Sequence, residues 1–487
     1  MASLEAILST PVSWASHKTD PDVAAFLDDL QANILKGHGR HFTANLFLGF
    51  DGMAPDAVAS LLRALSGYVT SALQQLLTNR SSAGPKIDGG PVRCLFLSAS
   101  GYRALGGLAK MPDDTALQEG MRSRGASLGD APETEWGEGP WRPGGRAPDA
   151  MLLLADSSFD RVTGDLEEIE RWINGTGARV LGVDRGRAQF RTFAPANGPE
   201  GVEHFGYVDG RSQPLFLVED IKKEKPAGPE PKWNFAFNPA QFIVPDPNGK
   251  GRHSAGSYFV YRKLGQNVRG FKARERELAE ALSLTGDDAE RAGAMAVGRF
   301  EDGTPVALSA TETGAKPVND FNYAVDPDGL RCPFHAHIRK TNPRGDIVRQ
   351  FSAADSAERN PIMARRGIPF GDHERLFDEA EGAEPESDVG LIFMAYMASI
   401  SDQFEFTQKS WANEPKFVRG FKPGDQPAGI DPVIGQNADP ATHEQTWLDG
   451  WIGGAAPSKF AFAHFVKLLG GEYFFAPSRS FLQNLGR

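Results

Sequence analysis

Residues 332–344 read CPFHAHIRKTNPR and place two histidines, His335 and His337, between an apolar segment and a basic cluster. On a helix, side chains two residues apart point about 200° away from each other, so at most one of the two rings would face a given ligand. Considered alone, each histidine is more simply explained as a hydrogen-bonded interior residue than as a metal ligand. The interpretation of this block therefore depends on the motifs around it.

Two further motifs lie on either side of the block. Residues 205–214 read FGYVDGRSQP and hold one carboxylate, Asp209, between two glycines. Asp-Gly is a strong turn dipeptide, so the local pattern by itself predicts a turn. Residues 365–371 read RRGIPFG, which by itself indicates no more than a basic turn.

The spacing of hydrophobic residues predicts helices and strands in both halves of the chain. Apolar residues alternate over 41–50, which is typical of a strand, and helical spacing runs over 55–77 and 400–411. A charged, proline-rich segment at 222–232 indicates a linker or a surface excursion. We therefore predict two α+β domains of similar size.

The composition excludes several classes of protein. The chain has 487 residues, a formal net charge of −11 and two cysteines, Cys94 and Cys332. An acidic chain repels nucleic-acid backbones, two cysteines cannot build a disulfide framework, and no apolar run approaches the ~18 residues of a membrane span. Residues 1–18 lack the pattern of a Sec-type signal peptide. We expect a cytoplasmic enzyme without nucleic-acid or membrane partners.

Taken together, the three motifs resemble the dye-decolorizing peroxidase family of haem enzymes. Residues 206–210 match that family's Gly-x-x-Asp-Gly signature, which is weak by itself, and residues 332–344 match a much more specific block throughout. The likeness runs from about residue 30 to the end. It includes QANILKG at 31–37, GSYFVYRKL at 256–264, GLIF at 390–393, QFEF at 403–406 and GEYFFAP at 471–477. The length is similar to that of the larger bacterial and fungal branch.

The resemblance implies an α+β fold of two ferredoxin-like domains, which are antiparallel sheets flanked by helices. We place them at residues 1–220 and 221–487, with the haem held mainly by the C-terminal domain. The implied function is that of a peroxidase with one haem b per chain, which reduces hydrogen peroxide and oxidises dyes, phenols and similar aromatic one-electron donors. The alternative is a haem-binding or haem-transfer protein of the same fold with little peroxidase turnover.

The resemblance also assigns roles to the two histidines. His337 becomes the proximal ligand of the haem iron, and a carboxylate or carbonyl is expected to accept a hydrogen bond from its other ring nitrogen. Glu405 and Asp431 are the candidate carboxylates. His335 falls at the family's variable position, so a structural role is expected for it.

On the distal side, the resemblance makes Asp209 the residue that moves the peroxide proton. Arg365 would stabilise the negative charge of the departing oxygen, with Arg366 as the alternative arginine. The remaining expectations concern the haem pocket: Arg344 pairs with a haem propionate, and Leu391 and Phe393 line a narrow distal pocket. The presence of both Asp209 and Arg365 disfavours haem storage, which needs neither.

A narrow pocket would admit peroxide but not a bulky dye, so large donors would be oxidised at a surface aromatic residue. Trp411 and Tyr396 are the candidates, although core packing explains either of them about as well. A second alternative function is a serine hydrolase, because residues 125–129 read GASLG and match Gly-x-Ser-x-Gly at Ser127. A polar segment precedes Ser127, whereas a nucleophile elbow needs an apolar strand there.

Overall fold

The computed structural model of this chain describes residues 2–78, 89–225, 231–371, 382–419, 426–437, 439–453 and 456–487. The strands are β1 (Phe42–Gly49), β2 (Val92–Leu97), β3 (Ala150–Asp156), β4 (Arg179–Arg187), β5 (Gln189–Arg191), β6 (Glu200–Val202), β7 (Val244–Pro245), β8 (Ala255–Gln266), β9 (Ala364–Arg365), β10 (Ile368–Phe370), β11 (Gly390–Met397), β12 (Glu444–Trp447), β13 (Ser458–Ala461) and β14 (Val466–Ala476).

Helices connect and cover these strands. The α-helices are α1 (Leu4–Leu8), α2 (Pro21–Asp29), α3 (Pro55–Leu65), α4 (Ala72–Thr78), α5 (Ala99–Ala104), α6 (Thr115–Glu119), α7 (Met121–Arg124), α8 (Phe159–Ile173), α9 (Val218–Glu224), α10 (Val268–Ala281), α11 (Glu290–Val297), α12 (His337–Thr341), α13 (Asp346–Phe351), α14 (Ser356–Arg359) and α15 (Arg479–Asn484). The segment Ile400–Glu405 and the segment Thr407–Ala412 are π-helical.

The main sheet runs in the order β10-β11-β8-β14-β2-β3-β1-β4, with antiparallel pairing between neighbours. Strands from the first half of the chain lie together at one end, and strands from the second half lie together at the other. The two sets meet where Phe475 of β14 pairs with Leu97 of β2. The division of the chain at residue 220 stays a prediction, and this strand order is compatible with it.

The alternating pattern over 41–50 predicts β1 correctly. Leu46 and Leu48 point to the face covered by α3 and α8, whereas Phe47 points to the opposite face. There Phe47 makes edge contacts with Trp141 and Tyr261. The sheet is therefore buried on both faces, and its two apolar layers form the main core of the described residues.

Two sequence predictions of helices need correction. The helical spacing over 55–77 predicts one long helix, but the chain leaves the helix after Leu65, and Thr70 then donates its backbone N–H to the carbonyl of Arg93 at 2.9 Å. The second predicted helix, over 400–411, is π-helical rather than α-helical. In the predicted linker, α9 extends to Glu224 and residues 226–230 lie outside the described residues.

Within the ranges that the structure describes, no helix has both the length and the apolar composition needed to cross a membrane.

Candidate functional site

A cavity of about 760 Å³ opens beside the second-half end of the sheet. Its walls come from both halves of the chain. They include residues 35–40 and most of 201–216 from the first half and parts of β8, β9, β11, β14 and α12 from the second. Cavities of about 300–1,000 Å³ are typical of cofactor sites. All six residues that the sequence predicts for the site line this cavity: Asp209, His337, Arg344, Arg365, Leu391 and Phe393.

His337 is the first residue of α12 and lines the cavity. Its Nδ1 lies 2.8 Å from Oδ2 of Asp431, which is fully buried. The other carboxylate oxygen of Asp431 accepts the backbone N–H groups of Val433 and Ile434 at 2.8 and 3.0 Å, so the carboxylate is held in one orientation. A carboxylate on Nδ1 fixes the ring and leaves Nε2 available for a metal. Glu405, the other candidate, pairs with Arg124 instead.

His335 lies outside the cavity lining. Its side chain is buried against Trp447, and Nδ1 lies 2.9 Å from the carbonyl oxygen of Ala428. Burial lowers the pKa of His335 to about 3, with the nearby Lys340 charge as a smaller cause. A neutral, enclosed imidazole is what a structural histidine requires.

Arg344 is buried at the wall of the cavity, and so is Arg299 beside it. The guanidinium of Arg344 donates to the carbonyl oxygens of Asn319 and Phe321 at 2.6 and 2.9 Å, and to Oγ of Ser212 at 2.5 Å. Burial, reinforced by the Arg299 charge, lowers the pKa of Arg344 to about 9, and burial likewise lowers the pKa of Arg299 to about 10. In the described residues, neither guanidinium forms an ion pair with a carboxylate.

Asp209 is exposed at the edge of the cavity, at the end of a turn held by backbone hydrogen bonds. Arg365 lies nearby on β9: its Nη2 donates to the carbonyl oxygen of Arg211 at 2.9 Å, two residues after Asp209. Arg366 also reaches the cavity lining, but its guanidinium donates to the carbonyls of Asn33 and Ile34 at 2.7 Å each. The guanidinium of Arg366 is therefore held by the N-terminal segment, whereas that of Arg365 is bonded to the chain that follows Asp209.

Leu391 and Phe393 are alternate residues of β11, so both side chains project to the cavity face of the sheet. Leu264 of β8 pairs with Leu391 and also lines the cavity. Phe393 contacts Phe404, with ring centroids 6.1 Å apart. This wall is apolar, and Arg262 beneath it is neutralised by its ion pair with buried Asp130.

These residues fit a haem. A histidine with a carboxylate on Nδ1 lines the cavity, and apolar side chains of the sheet form one wall. At another wall lie two buried cations, Arg299 and Arg344, which have no carboxylate partner among the residues that the structure describes. Buried, unpaired cations are unfavourable, so an anionic ligand at Arg299 and Arg344 would stabilise the site. Haem carries such anions in its two propionates.

The prediction that Trp411 or Tyr396 is a surface site for the oxidation of large donors is wrong. Trp411 is 2% exposed and Tyr396 is fully buried, so neither ring is open to a bulky donor. Trp411 stacks on Phe417 with ring centroids 5.2 Å apart. The hydrolase alternative also fails, because Ser127 follows the short helix α7 rather than a strand, and its hydroxyl donates to the carbonyl of Arg124 at 2.8 Å.

Sequence reasoning did not find Arg299 or Ser212 as part of the site. Ser212 lies within the 205–214 motif, three residues after Asp209, and this position could have indicated that it belongs to the site. Arg299 lies in no recognised motif, and only its burial beside Arg344 identifies it.

Comparison with known proteins gives the family. The multifunctional dye peroxidase DyP2 of Amycolatopsis sp. (strain ATCC 39116 / 75iv2) is 42% identical over 487 residues, which covers 98% of this chain and 99% of the relative. Peroxidase 2 of Mycetinis scorodonius is 30% identical over 97% of this chain and 90% of its own length. No protein-family model matches the chain.

Solved structures agree. The structure of DyP2 from Amycolatopsis sp. ATCC 39116 superposes with a TM-score of 0.88 at 41% identity, covering 98% of this chain and all of that one. The DyP-type peroxidase AnaPX of Anabaena sp. gives a TM-score of 0.84 at 34% identity over 98% of this chain and 97% of its own.

The chain belongs to the dye-decolorizing peroxidase family. It has the family's α+β fold and is an oxidoreductase that uses peroxide to oxidise dyes, and family membership implies a haem cofactor. The haem-transfer alternative is not favoured, because the relatives are peroxidases.

Proposed function

We propose that the cavity binds one haem b per chain, with His337 as the proximal ligand, and that phenols and similar aromatic donors are oxidised along with dyes. The single observation that carries this proposal is the pair between His337 and buried Asp431 at 2.8 Å on the cavity wall. The carboxylate fixes the orientation of the ring and leaves Nε2 available to bind a metal. When bound, haem would be held by His337, Arg344 and Arg299 and would supply the redox chemistry, in which peroxide is reduced by two electrons that donors provide one at a time.

Arg344 and Arg299 hold the propionate end of the cofactor in this proposal. Their guanidinium groups are buried, close together and bonded to neutral oxygens in the structure. A carboxylate would relieve the repulsion between them, and a guanidinium matches the geometry of a carboxylate in a bidentate pair. Binding of the propionates therefore stabilises both the cofactor and this wall.

Asp209 and Arg365 handle hydrogen peroxide. The carboxylate of Asp209 removes a proton from one peroxide oxygen and delivers it to the other, which leaves as water. The guanidinium of Arg365 stabilises the negative charge that develops on the departing oxygen. The neighbouring Leu391 and Phe393 exclude water and large molecules from this side, so a bulky dye gives up its electron elsewhere.

The test uses purified protein loaded with haem. We expect a Soret band with one haem per chain, and hydrogen-peroxide-dependent oxidation of an anthraquinone dye and of a small phenol. A protein that shows the Soret band but oxidises neither donor would contradict the peroxidase proposal and would favour the haem-transfer alternative. A protein that takes up no haem would contradict the cofactor assignment itself.

A further inference from the structure

The turn that carries Asp209 is closed by one side chain, that of Glu203. Its two carboxylate oxygens accept the backbone N–H groups of Phe205 at 2.8 Å and Tyr207 at 3.0 Å. The backbone of Glu203 takes part as well: its N–H donates to the carbonyl of Tyr207 at 3.1 Å, and its carbonyl accepts from Gly206 at 2.9 Å. Glu203 is thus the donor or the acceptor in each of these four hydrogen bonds.

Glu203 is in turn tied to the sheet. Nε2 of Gln266, the last residue of β8, donates to Oε2 of Glu203 at 2.6 Å. Gln266 is 5% exposed, and its backbone N–H donates to the carbonyl of Val389 next to β11. The Asp209 turn is therefore connected through Gln266 to β8 and to the residue before β11, the strand that carries Leu391 and Phe393.

Asp209 itself depends on this scaffold. Its backbone N–H donates to the carbonyl of Gly201 at 3.0 Å, and Val208 donates to the carbonyl of Glu301 at 3.0 Å. Its carboxylate makes no hydrogen bond within the described part of the chain, so no side-chain contact there helps the backbone to position it. A general acid–base residue has to be held close to its productive position, and an error of about 1 Å can cost about 100-fold in rate.

We propose that Glu203, held by Gln266, is a positioning residue that sets the place of the Asp209 carboxylate over the cavity. The inference rests on the proposed role of Asp209. Negative charge is needed at Glu203 because its oxygens accept from three N–H donors. Glutamine at this position has one acceptor oxygen, and its amide group would face the remaining donors. The turn would then loosen without loss of side-chain volume.

The test compares Glu203→Gln, Asp209→Asn and the double variant, with Glu200→Gln as a matched control on the adjacent strand β6. All are loaded with haem, and the rate of reaction with hydrogen peroxide is measured by stopped flow at equal Soret absorbance. We expect Glu203→Gln to slow the reaction about 10- to 100-fold. The double variant should be no slower than Asp209→Asn alone, because Glu203 acts only through Asp209. Glu200→Gln should react at the wild-type rate.

Hydrogen exchange of the peptide that covers residues 200–210 provides a second readout. Glu203→Gln should speed exchange there, while Glu200→Gln should not. The inference is overturned if Glu203→Gln reacts with hydrogen peroxide at the wild-type rate while Asp209→Asn reacts slowly. It is also overturned if the rate of the double variant falls by the product of the two single effects. A wild-type rate for Asp209→Asn contradicts the proposed role of Asp209. If Glu203→Gln does not fold, Gln266→Met gives the milder form of the test, with the same expected direction.

Discussion

Asp209 stands at the edge of the cavity with its carboxylate exposed and Arg365 beside its turn. The substitution Asp209→Asn keeps the shape but removes the proton acceptor. We expect it to retain haem and to slow the reaction with hydrogen peroxide by about 100-fold or more. The effect should be largest at acidic pH, since at higher pH hydroxide removes the peroxide proton without help. Stopped-flow rates across pH measure this. A wild-type rate at every pH would move the proton-transfer role to another group, with Arg365 the first to test.

Lys340 gives a prediction about stability. Its ammonium group is fully buried and donates to the carbonyls of Trp411 and Glu414, at 3.0 and 2.7 Å. Burial lowers the pKa of Lys340 from 10.5 to about 7. Between pH 7 and 10.5 the unfolded chain therefore binds more protons than the native one, so this residue makes the native state more stable as the pH rises.

The measurement is the free energy of unfolding of wild type and Lys340→Met from pH 7 to 10 at equal haem occupancy. Wild type should gain stability relative to the variant, by at most about 1.4 kcal/mol per pH unit. Lys459→Met, at a lysine whose side chain is 70% exposed, is the control for removal of a lysine charge. A constant difference between wild type and Lys340→Met would mean that Lys340 keeps its proton in the folded protein throughout this range.

Single residues also show what a sequence can predict. The motif identifies His337 as the ligand, but its partner Asp431 is 94 positions away in a segment without a motif. The sequence alone therefore leaves two candidate partners, Glu405 and Asp431. Arg299 and Glu203 act through burial and hydrogen bonds to backbone groups. Such contacts depend on tertiary structure, and spacing along the chain does not reveal them.

Among the secondary-structure elements, the segment Ile400–Ala412 departs furthest from its sequence pattern. Phe404 and Trp411 are seven residues apart, which places them on one face of an α-helix. In the π-helical structure they enter different clusters: Phe404 packs beside Phe393 and Tyr473, and Trp411 packs on Phe417. A π-helix pairs residues five apart rather than four, so the α-helical spacing does not apply. The alternation over 41–50, in contrast, predicts β1 correctly, because the period of two belongs to the strand itself.

The burial of Trp411 changes the outcome expected for Trp411→Phe. Because the indole packs in the core and is 2% exposed, we expect the variant to lose roughly 1–3 kcal/mol of stability. The ratio of activities on a bulky dye and a small phenol should not change. Steady-state kinetics and melting temperatures test this, with Trp172→Phe, at a residue 38% exposed, as the stability control. A selective loss of dye oxidation with an unchanged melting temperature would instead identify Trp411 as the residue at which bulky dyes are oxidised.

At the scale of the whole molecule, one sheet and one cavity join the two halves of the chain. Strands of both halves pair at Phe475 and Leu97, and residues from the 201–216 segment of the first half line the same cavity as α12 of the second. The sequence predicts the α+β class and the two groups of strands. It does not reveal that they form one sheet, because the joining pair is a single contact between residues far apart in the chain.

The central claim is that this molecule holds its haem through His337. The most direct measurement is the Soret absorbance per protein of His337→Ala and His335→Ala, both purified and supplied with the same excess of haem. His335 is enclosed and neutral outside the cavity lining, whereas His337 faces the cavity with Asp431 on Nδ1. We predict that His337→Ala loses most of its haem and that His335→Ala keeps it. Equal haem content in the two variants would contradict the assignment.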